Sequence, residues 1–181
     1  MPECNIPRYI VSLTALFFAA FLTGFLAPIS GKLDLLSTLM NAFKPFLTLP
    51  PWKMFFFLLL NNSVKSFMVM LAGILFGLVP LLAVATNGYI LGIAFLIGSE
   101  KVGYMTAAKT ILPHGVLEIP AVIFAASYGL WLGVTFAKRI NQRDLTGFGY
   151  QVRLAIRMFF FIAFPLFILA ALIETVLISS M

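Results

Sequence analysis

The sequence predicts an all-α membrane protein, a bundle of about five transmembrane spans that forms a single domain over residues 1–181. Of its 181 residues, 62% are hydrophobic and only 10% are charged, and the mean hydropathy is +1.07. An ordinary soluble domain is about one-quarter charged and nearer one-half apolar. A soluble chain of this size could not bury so much apolar surface. We therefore expect membrane lipids as the main surroundings of the chain, and no nucleic-acid partner.

The first apolar block, at about 9–28, is long enough to cross the bilayer, because a span needs roughly 20 apolar residues. It ends at Pro28. Residues 32–49 alternate polar and apolar side chains, which predicts an amphipathic helix in the membrane interface. The prolines at 50 and 51 end that helix, since proline lacks the backbone N–H of a helical hydrogen bond.

The second apolar block, at about 54–86, would exceed the bilayer core as one helix, at about 1.5 Å per residue. It is therefore expected to be steeply tilted, or to begin with a shallow or re-entrant segment. Asn87-Gly88 is a turn signal and predicts a structural turn. The third block, at about 88–100, is short for a span, so we expect it to form part of a broken helix that neighbouring protein covers.

The fourth span is predicted at about 112–137 and the fifth at about 158–179, where Pro165 interrupts it. Residues 138–157, between them, carry five Lys and Arg against one Asp. By the positive-inside rule, this basic loop is predicted to be cytoplasmic. Five crossings would then place the N-terminus on the cytoplasmic side and the C-terminus outside.

Polar side chains within the apolar blocks are the candidates for function, because a charge at mid-bilayer costs at least ~2.5–3.5 kcal/mol. They are Asn61, Asn62, Lys65, Asn87, His114, Glu118 and Glu174. His114 and Glu118 are four residues apart, so on a helix they share one face. Pro113 suits the first turn of such a helix.

One hypothesis is that His114 and Glu118 bind a divalent metal ion or a polar ligand. Two side chains are too few for zinc, which takes four ligands. The remaining ligands would come from Asn61, Asn62, Glu100, water or a second subunit. The other hypothesis is structural: Glu118 neutralises Lys65, and His114 hydrogen-bonds an asparagine.

The sequence does not favour an enzyme. It contains one histidine and no HExxH motif, and it lacks a Ser/His/Asp set that could activate a nucleophile. No catalytic residue is therefore predicted, and the cofactor prediction is limited to the divalent metal.

Three segments together resemble the stage II sporulation protein M family. They are Asn61-Asn62-Ser63 followed by Gly73 and Gly77; Asn87-Gly88 followed by Gly92; and Leu112-Pro113-His114-Gly115-Val116-Leu117-Glu118-Ile119-Pro120-Ala121. The last of these is the specific part. The resemblance covers roughly 55–135, and its His, Glu and Asn positions correspond to His114, Glu118 and Asn61 or Asn62.

The resemblance implies an integral protein of about five spans in a bacterial or archaeal plasma membrane. In spore-forming bacteria, the family member is a membrane scaffold that works with peptidoglycan-degrading partners. We therefore expect a scaffold or assembly subunit that forms a homo-oligomer or binds other membrane proteins. The alternative is a small oligomeric transporter or channel with its polar or metal site at His114 and Glu118.

Overall fold

The computed structural model describes residues 5–26 and 49–179, apart from the side chains of 110–114 and 178–179. Six α-helices and one π-helical segment account for nearly all of these residues. They are α1 (Ile6–Leu26), α2 (Pro51–Ala72), α3 (Leu78–Val102), α4 (Tyr104–Asn141), α5 (Phe148–Met158), the π segment (Phe159–Ala163) and α6 (Phe164–Ser179). The predicted interfacial helix, 32–49, lies almost wholly outside the described residues.

Five helical stretches are long and apolar enough to cross a membrane. They are Ile6–Leu26, Pro51–Ala72, Leu78–Val102, Gly115–Asn141 and Phe148–Leu177. This confirms the predicted all-α, multi-pass fold and its five spans. The last span contains a π segment just before Pro165, where an interruption was predicted. The broken helix predicted around 88–100 is wrong, because these residues lie inside one continuous helix, α3.

Helix α4 is the centre of the bundle. It packs against α1, α2, α3 and α6. Within the most apolar 18 residues of its span, 61% are buried, against 17–28% in the corresponding stretches of the other four spans. The outer helices therefore expose most of their apolar side chains, as expected when lipid is the solvent on that side.

Helices α1 and α3 run parallel and touch through glycines. A Cβ added to Gly92 would stand 2.9 Å from the backbone nitrogen of Phe25, and one on Gly88 would stand 3.2 Å from the Cβ of Ala20. Gly24, on α1, lies equally close to the backbone of Tyr89. Small residues at such contacts let helix backbones approach, which drives packing where the hydrophobic effect is absent.

Helices α2 and α4 form a second parallel pair. A Cβ on Gly73 would stand 2.6 Å from the Cα of Gly129, and one on Gly133 would stand 2.7 Å from the Cα of Gly77. The two glycine pairs with a spacing of four residues, 73 with 77 and 129 with 133, therefore face each other. In both contacts the two glycines are separated by the same number of residues in sequence. The two contacts therefore fix the relative height of the two helices.

The predicted second and third spans have the wrong boundary. The chain turns at 73–77, so the block at 54–86 is divided between α2 and α3, and the third span is the whole of α3. Gly77 takes the left-handed conformation that ends the turn, with φ of 76°. Asn87 and Gly88, predicted to form a turn, instead lie inside α3. Gly88 is needed there for its close contact with α1, not for a turn.

Helix α4 is also longer than predicted. It begins at Tyr104 and continues through Pro113, which was expected at its first turn. At its other end it extends to Asn141, and α5 begins at Phe148. The non-helical part of the predicted loop 138–157 is therefore confined to residues 142–147.

Buried positions recur at every fourth residue along α5, the π segment and α6. They are Gln151, Ala155, Phe159, Ala163, Phe167, Ala171 and Thr175. In a regular α-helix of 3.6 residues per turn, such a series rotates about 40° at each step and leaves the buried face. The wider turn of the π segment, at Phe159–Ala163, offsets part of this rotation in the middle of the series.

The two ends of the bundle differ in charge. The basic end comprises the start of α1, the turn at 73–77, the end of α4 and the start of α5. The described cations at this end are Arg8, Lys138, Arg139, Arg143, Arg153 and Arg157, and the one described acid is Asp144. The opposite end has three described cations, Lys53, Lys101 and Lys109, with Glu100 and Glu174.

Candidate functional site

The predicted amides and carboxylate lie at the same height in α2 and α4. Gly73 is beside Gly129 and Gly77 is beside Gly133. If the same sequence separation is kept while both helices are followed back from these glycines, Asn61 and Asn62 come level with Leu117 and Glu118. Asn61 and Asn62 are also the middle residues of the 22-residue helix α2. Asn61 and Asn62 therefore lie near the middle of α2 rather than at its ends, and Glu118 is level with them.

Glu118 faces the core of the bundle. At helical spacing it shares a face with Ala121 and Ala125, which are fully buried among residues of α2 and α6. The Glu118 side chain is half-buried, and its Oε2 atom is excluded from solvent. A carboxylate in this position is costly unless protein groups interact with it, which makes it the strongest site candidate among the described side chains.

Helix α2 contributes a polar strip at the same height. The Nδ2 of Asn61 donates a hydrogen bond to the Oδ1 of Asn62, at 3.0 Å. Ser63 and Ser66 are buried, and the Ser63 hydroxyl donates to the carbonyl oxygen of Leu59 at 2.6 Å. Small hydroxyl and amide groups thus occupy the part of α2 that lies level with Glu118.

Lys65 is not brought to Glu118. Its side chain is exposed, about 100° around α2 from the buried Ser66, and it forms no ion pair with Glu118 in the described part of the chain. The aliphatic stem of such a lysine can lie in lipid while its ammonium group reaches the headgroups. The predicted Lys65–Glu118 pair is therefore absent from this arrangement.

The metal hypothesis depends on His114, whose side chain lies outside the described residues. Its backbone belongs to α4, four residues before Glu118, so the predicted helical spacing is present. Within the described ranges, no group of three or more His, Cys, Asp or Glu side chains comes together. A divalent metal at His114 and Glu118 stays a prediction.

The loop at the basic end has its own polar network. The backbone N–H and the hydroxyl of Thr146 both donate to the Oδ1 of Asp144, at 2.8 and 2.6 Å. These hydrogen bonds, the hydroxyl first, and then the nearby Arg139 charge hold the pKa of Asp144 below its ordinary 3.8. Arg139 also donates to the Thr146 carbonyl oxygen and contacts the Gln151 amide at 3.0 Å.

Sequence reasoning missed two cavities. One is an apolar groove between α1 and α4, and the other is a small polar pocket at the basic end. The groove combines the middle of α1 with α4, and the pocket combines the start of α1 with the last turns of α4. In the sequence, the only available signal for the groove was the apolar surface of α1. The only signal for the pocket was the helical spacing of Trp131, Thr135 and Lys138.

The family model for Stage II sporulation protein M matches residues 13–178. An uncharacterised protein of Methanocaldococcus jannaschii is 30% identical over 102 residues. That match covers 54% of this chain and 45% of the relative, so the chain spans less than half of the length of that relative. No solved structure matches the chain.

The family match covers all five spans at least in part, and it includes Asn61, Asn62 and Glu118 as well as both glycine contacts. It extends well beyond the segment 55–135 on which the resemblance was first based. This multi-pass membrane protein belongs to the stage II sporulation protein M family.

Proposed function

We propose that this protein is a self-associating scaffold or assembly subunit of the plasma membrane, and that two copies pair through α1 and the groove beside it. The observation that carries the proposal is an open apolar groove next to an exposed helix on the same face of the bundle. Two-fold pairing requires such an arrangement, because each copy then offers the same ridge and the same groove to the other.

The groove is a half-open cavity of about 740 Å³. Its walls are α1, α3 and α4, with one residue of α6, and Thr14 supplies the one hydroxyl among the lining side chains. On α4 the lining runs from Ala108 to Phe124 and includes Gly115. The groove therefore suits an apolar occupant, and its small residues allow that occupant to approach closely.

The length of the groove favours a helix over a lipid chain. From Ala108 to Phe124, α4 rises about 24 Å. One leaflet supplies about half of the roughly 30 Å hydrocarbon core. A single acyl chain would fill only part of this groove, whereas a membrane-crossing helix follows all of it.

Helix α1 of a second copy has suitable chemistry to be that occupant. It is the least buried span, and Val11, Phe18 and Leu22 project from its exposed face. Ala15 and Ala19 lie on the same face at a spacing of four residues and are also exposed. Small residues at this spacing are typical of helix pairs in membranes.

The test is the oligomeric state of the purified protein in lipid bilayers, measured by single-molecule photobleaching over a range of protein-to-lipid ratios. We expect dimers, and we expect Val116→Trp, which fills the groove, to weaken pairing at least tenfold. Val64→Trp is the matched control, since Val64 is similarly exposed but lies on α2. A monomer at every density, or equal effects of the two substitutions, would contradict the proposal.

The same proposal places the basic end in the cytoplasm. Its support is the excess of described cations there, six against three at the opposite end. In a Cys4→Ser background, Arg143→Cys should resist a membrane-impermeant maleimide applied to intact cells. Tyr104→Cys, exposed at the opposite end, should react. The reverse labelling would invert the orientation.

A second candidate function is a small oligomeric transporter, favoured by one observation: Asn61, Asn62 and Glu118 share a height, level with the middle of α2. Polar groups at membrane depth are typical of transport sites. Liposomes containing the protein should then take up a divalent cation such as Mn²⁺, and Glu118→Gln and His114→Ala should abolish the uptake. Glu174→Gln is the control, and uptake that all three variants retain would exclude this candidate site.

A further inference from the structure

We propose that the polar pocket at the basic end binds a phosphate group, either the headgroup of a membrane phospholipid or free inorganic phosphate. The pocket is a cavity of about 270 Å³ between the start of α1 and the last turns of α4. It is separate from the groove and from the polar residues Asn61, Asn62 and Glu118. The inference does not depend on self-association.

The lining of the pocket is basic and contains no acid. Asn5, Arg8 and Tyr9 come from the first turn of α1. Trp131, Val134, Thr135 and Lys138 come from one face of α4, at helical spacing. Arg8 and Lys138 are exposed, so both side chains can move onto a ligand, and together they offer eight N–H donors. Such a set of donors selects an anion.

Trp131 supplies the observation that points to a ligand. The residue is only 3% exposed, and its Nε1–H is excluded from solvent and meets no acceptor in the described part of the chain. Indole N–H is a donor only, and a buried donor without an acceptor costs about 1–3 kcal/mol. An anionic oxygen in the adjoining pocket would relieve that cost once the side chains that cover the indole nitrogen move aside.

The start of α1 adds to the positive potential. The first turn of α1 contains no acidic residue, so the positive pole of its helix dipole is not offset there. Asn5 caps the turn, since its Oδ1 accepts from the backbone N–H of Arg8 at 3.4 Å. Asn5, like Thr135 on the other wall, belongs to the pocket lining and brings an amide group to it.

The size and height of the pocket agree with a phosphate group. The volume is several times the ~30 Å³ share of a water molecule in the liquid, which leaves room for a phosphate and a few waters. The pocket lies at the end of two spans, where the headgroups of the adjacent leaflet also lie. A phospholipid could therefore reach it from the side, and a free anion from the aqueous phase.

Fluorescence of Trp131 tests the proposal directly. The chain has two tryptophans, so Trp52→Phe leaves Trp131 as the single emitter. The full chain, in a phosphate-free maltoside detergent, is titrated with inorganic phosphate and, separately, with short-chain phosphatidic acid. We expect a saturable change in emission with at least one of them. A response to phosphatidic acid alone identifies the lipid, and a response to inorganic phosphate alone identifies the free anion.

Matched variants decide whether the pocket is the site. Arg8→Gln and Lys138→Gln should each weaken binding about tenfold, as expected for a charge-assisted hydrogen bond. Arg153→Gln removes an equal charge from an exposed site on α5 and should change affinity less than about twofold. The melting temperatures of the ligand-free variants show whether each has folded.

Calorimetry with Trp131→Phe tests the indole donor, because it keeps most of the ring but removes the N–H. We expect several-fold weaker binding. The proposal is overturned if neither probe binds, if Arg8→Gln and Lys138→Gln bind as tightly as the parent, or if Arg153→Gln weakens binding as much as they do. Unchanged affinity in Trp131→Phe would remove the indole from the site and, with it, the observation that points to a ligand.

Discussion

A Cβ on Gly73 would stand 2.6 Å from the Cα of Gly129, so the backbones of α2 and α4 are in direct contact. No side chain can be added there unless the helices move apart. We therefore expect Gly73→Ala to lower the free energy of unfolding by about 1–3 kcal/mol, the usual cost of overpacking. The measurement is the unfolding midpoint of the protein in detergent.

The control for this substitution is Gly149→Ala. Gly149 lies in α5, and a Cβ at this position would meet no atom within 4 Å. Alanine is the better helix former by about 0.5–1 kcal/mol, so this variant should be as stable as the parent or slightly more stable. Equal destabilisation by the two substitutions would mean that the contact between α2 and α4 is not tight.

Arg143 has a φ of 54°, in the left-handed region that costs an ordinary L-residue about 1–2 kcal/mol. Glycine avoids this cost, although it gains more freedom in the unfolded chain. We expect Arg143→Gly to raise the free energy of unfolding by about 1 kcal/mol. Arg143→Gln removes the same charge but keeps the strain, so it should leave stability nearly unchanged in the same unfolding experiment.

Asp144 should make stability depend on pH in the acidic range. Its pKa is lower in the folded protein than the ordinary 3.8, because Thr146 donates two hydrogen bonds to the carboxylate. A lowered pKa stabilises the fold above the unfolded value, and this contribution is lost as the pH falls through the folded value. The difference in unfolding midpoint between the parent and Asp144→Ala should therefore shrink below pH 3.8.

The Thr146→Val variant checks the cause of this shift. It removes the hydroxyl, which makes the largest contribution to the lowered pKa, and keeps the backbone donor. The stability lost on acidification should then be smaller, and the loss should be complete at a pH nearer to 3.8. An unchanged profile would assign the shift to the backbone N–H and Arg139 instead.

Lys65 and Glu118 should behave independently. Lys65 is exposed, so Lys65→Met should change the free energy of unfolding by no more than about 0.5 kcal/mol. Glu118→Gln should have a larger effect, because it alters a group that faces the core. Effects that add within about 0.5 kcal/mol would agree with the separation of the two side chains. If Lys65→Met instead recovered part of the stability lost in Glu118→Gln, the result would support the Lys65–Glu118 pair predicted from the sequence.

Hydropathy was enough to predict the all-α class and the number of spans, but not the turn between the second and the third. No charged residue lies between Phe67 and Ile97, so the chain reverses direction within one apolar block. The available signal was Gly77 followed by Pro80, a common way to end one helix and begin another. Asn87-Gly88 has the stronger turn composition, yet its glycine serves a helix contact.

The candidate site was predictable only in part. Asn61, Asn62 and Glu118 stand out in sequence because polar groups are rare in apolar blocks, and the structure places them at one height. The exposure of Lys65 could not be derived in the same way, since it depends on which face of α2 meets α4. The pocket around Trp131 escaped prediction because its two walls are more than a hundred residues apart in sequence.

The π segment at Phe159–Ala163 has a consequence for how insertions and deletions would act in the last span. Deleting one residue there while the segment closed into ordinary α-helix would leave the later side chains on their present faces, because a π turn holds about one residue more than an α turn. Closure without a deletion would swing every later side chain about 100° around the helix axis. Phe167 and Ala171 would then turn towards the acyl chains, and exposed neighbours such as Leu169 and Leu172 would be redistributed around the bundle. Which side chains of α6 face the neighbouring helices thus depends on the wider helical turn at Phe159–Ala163, not on the loop that precedes the span.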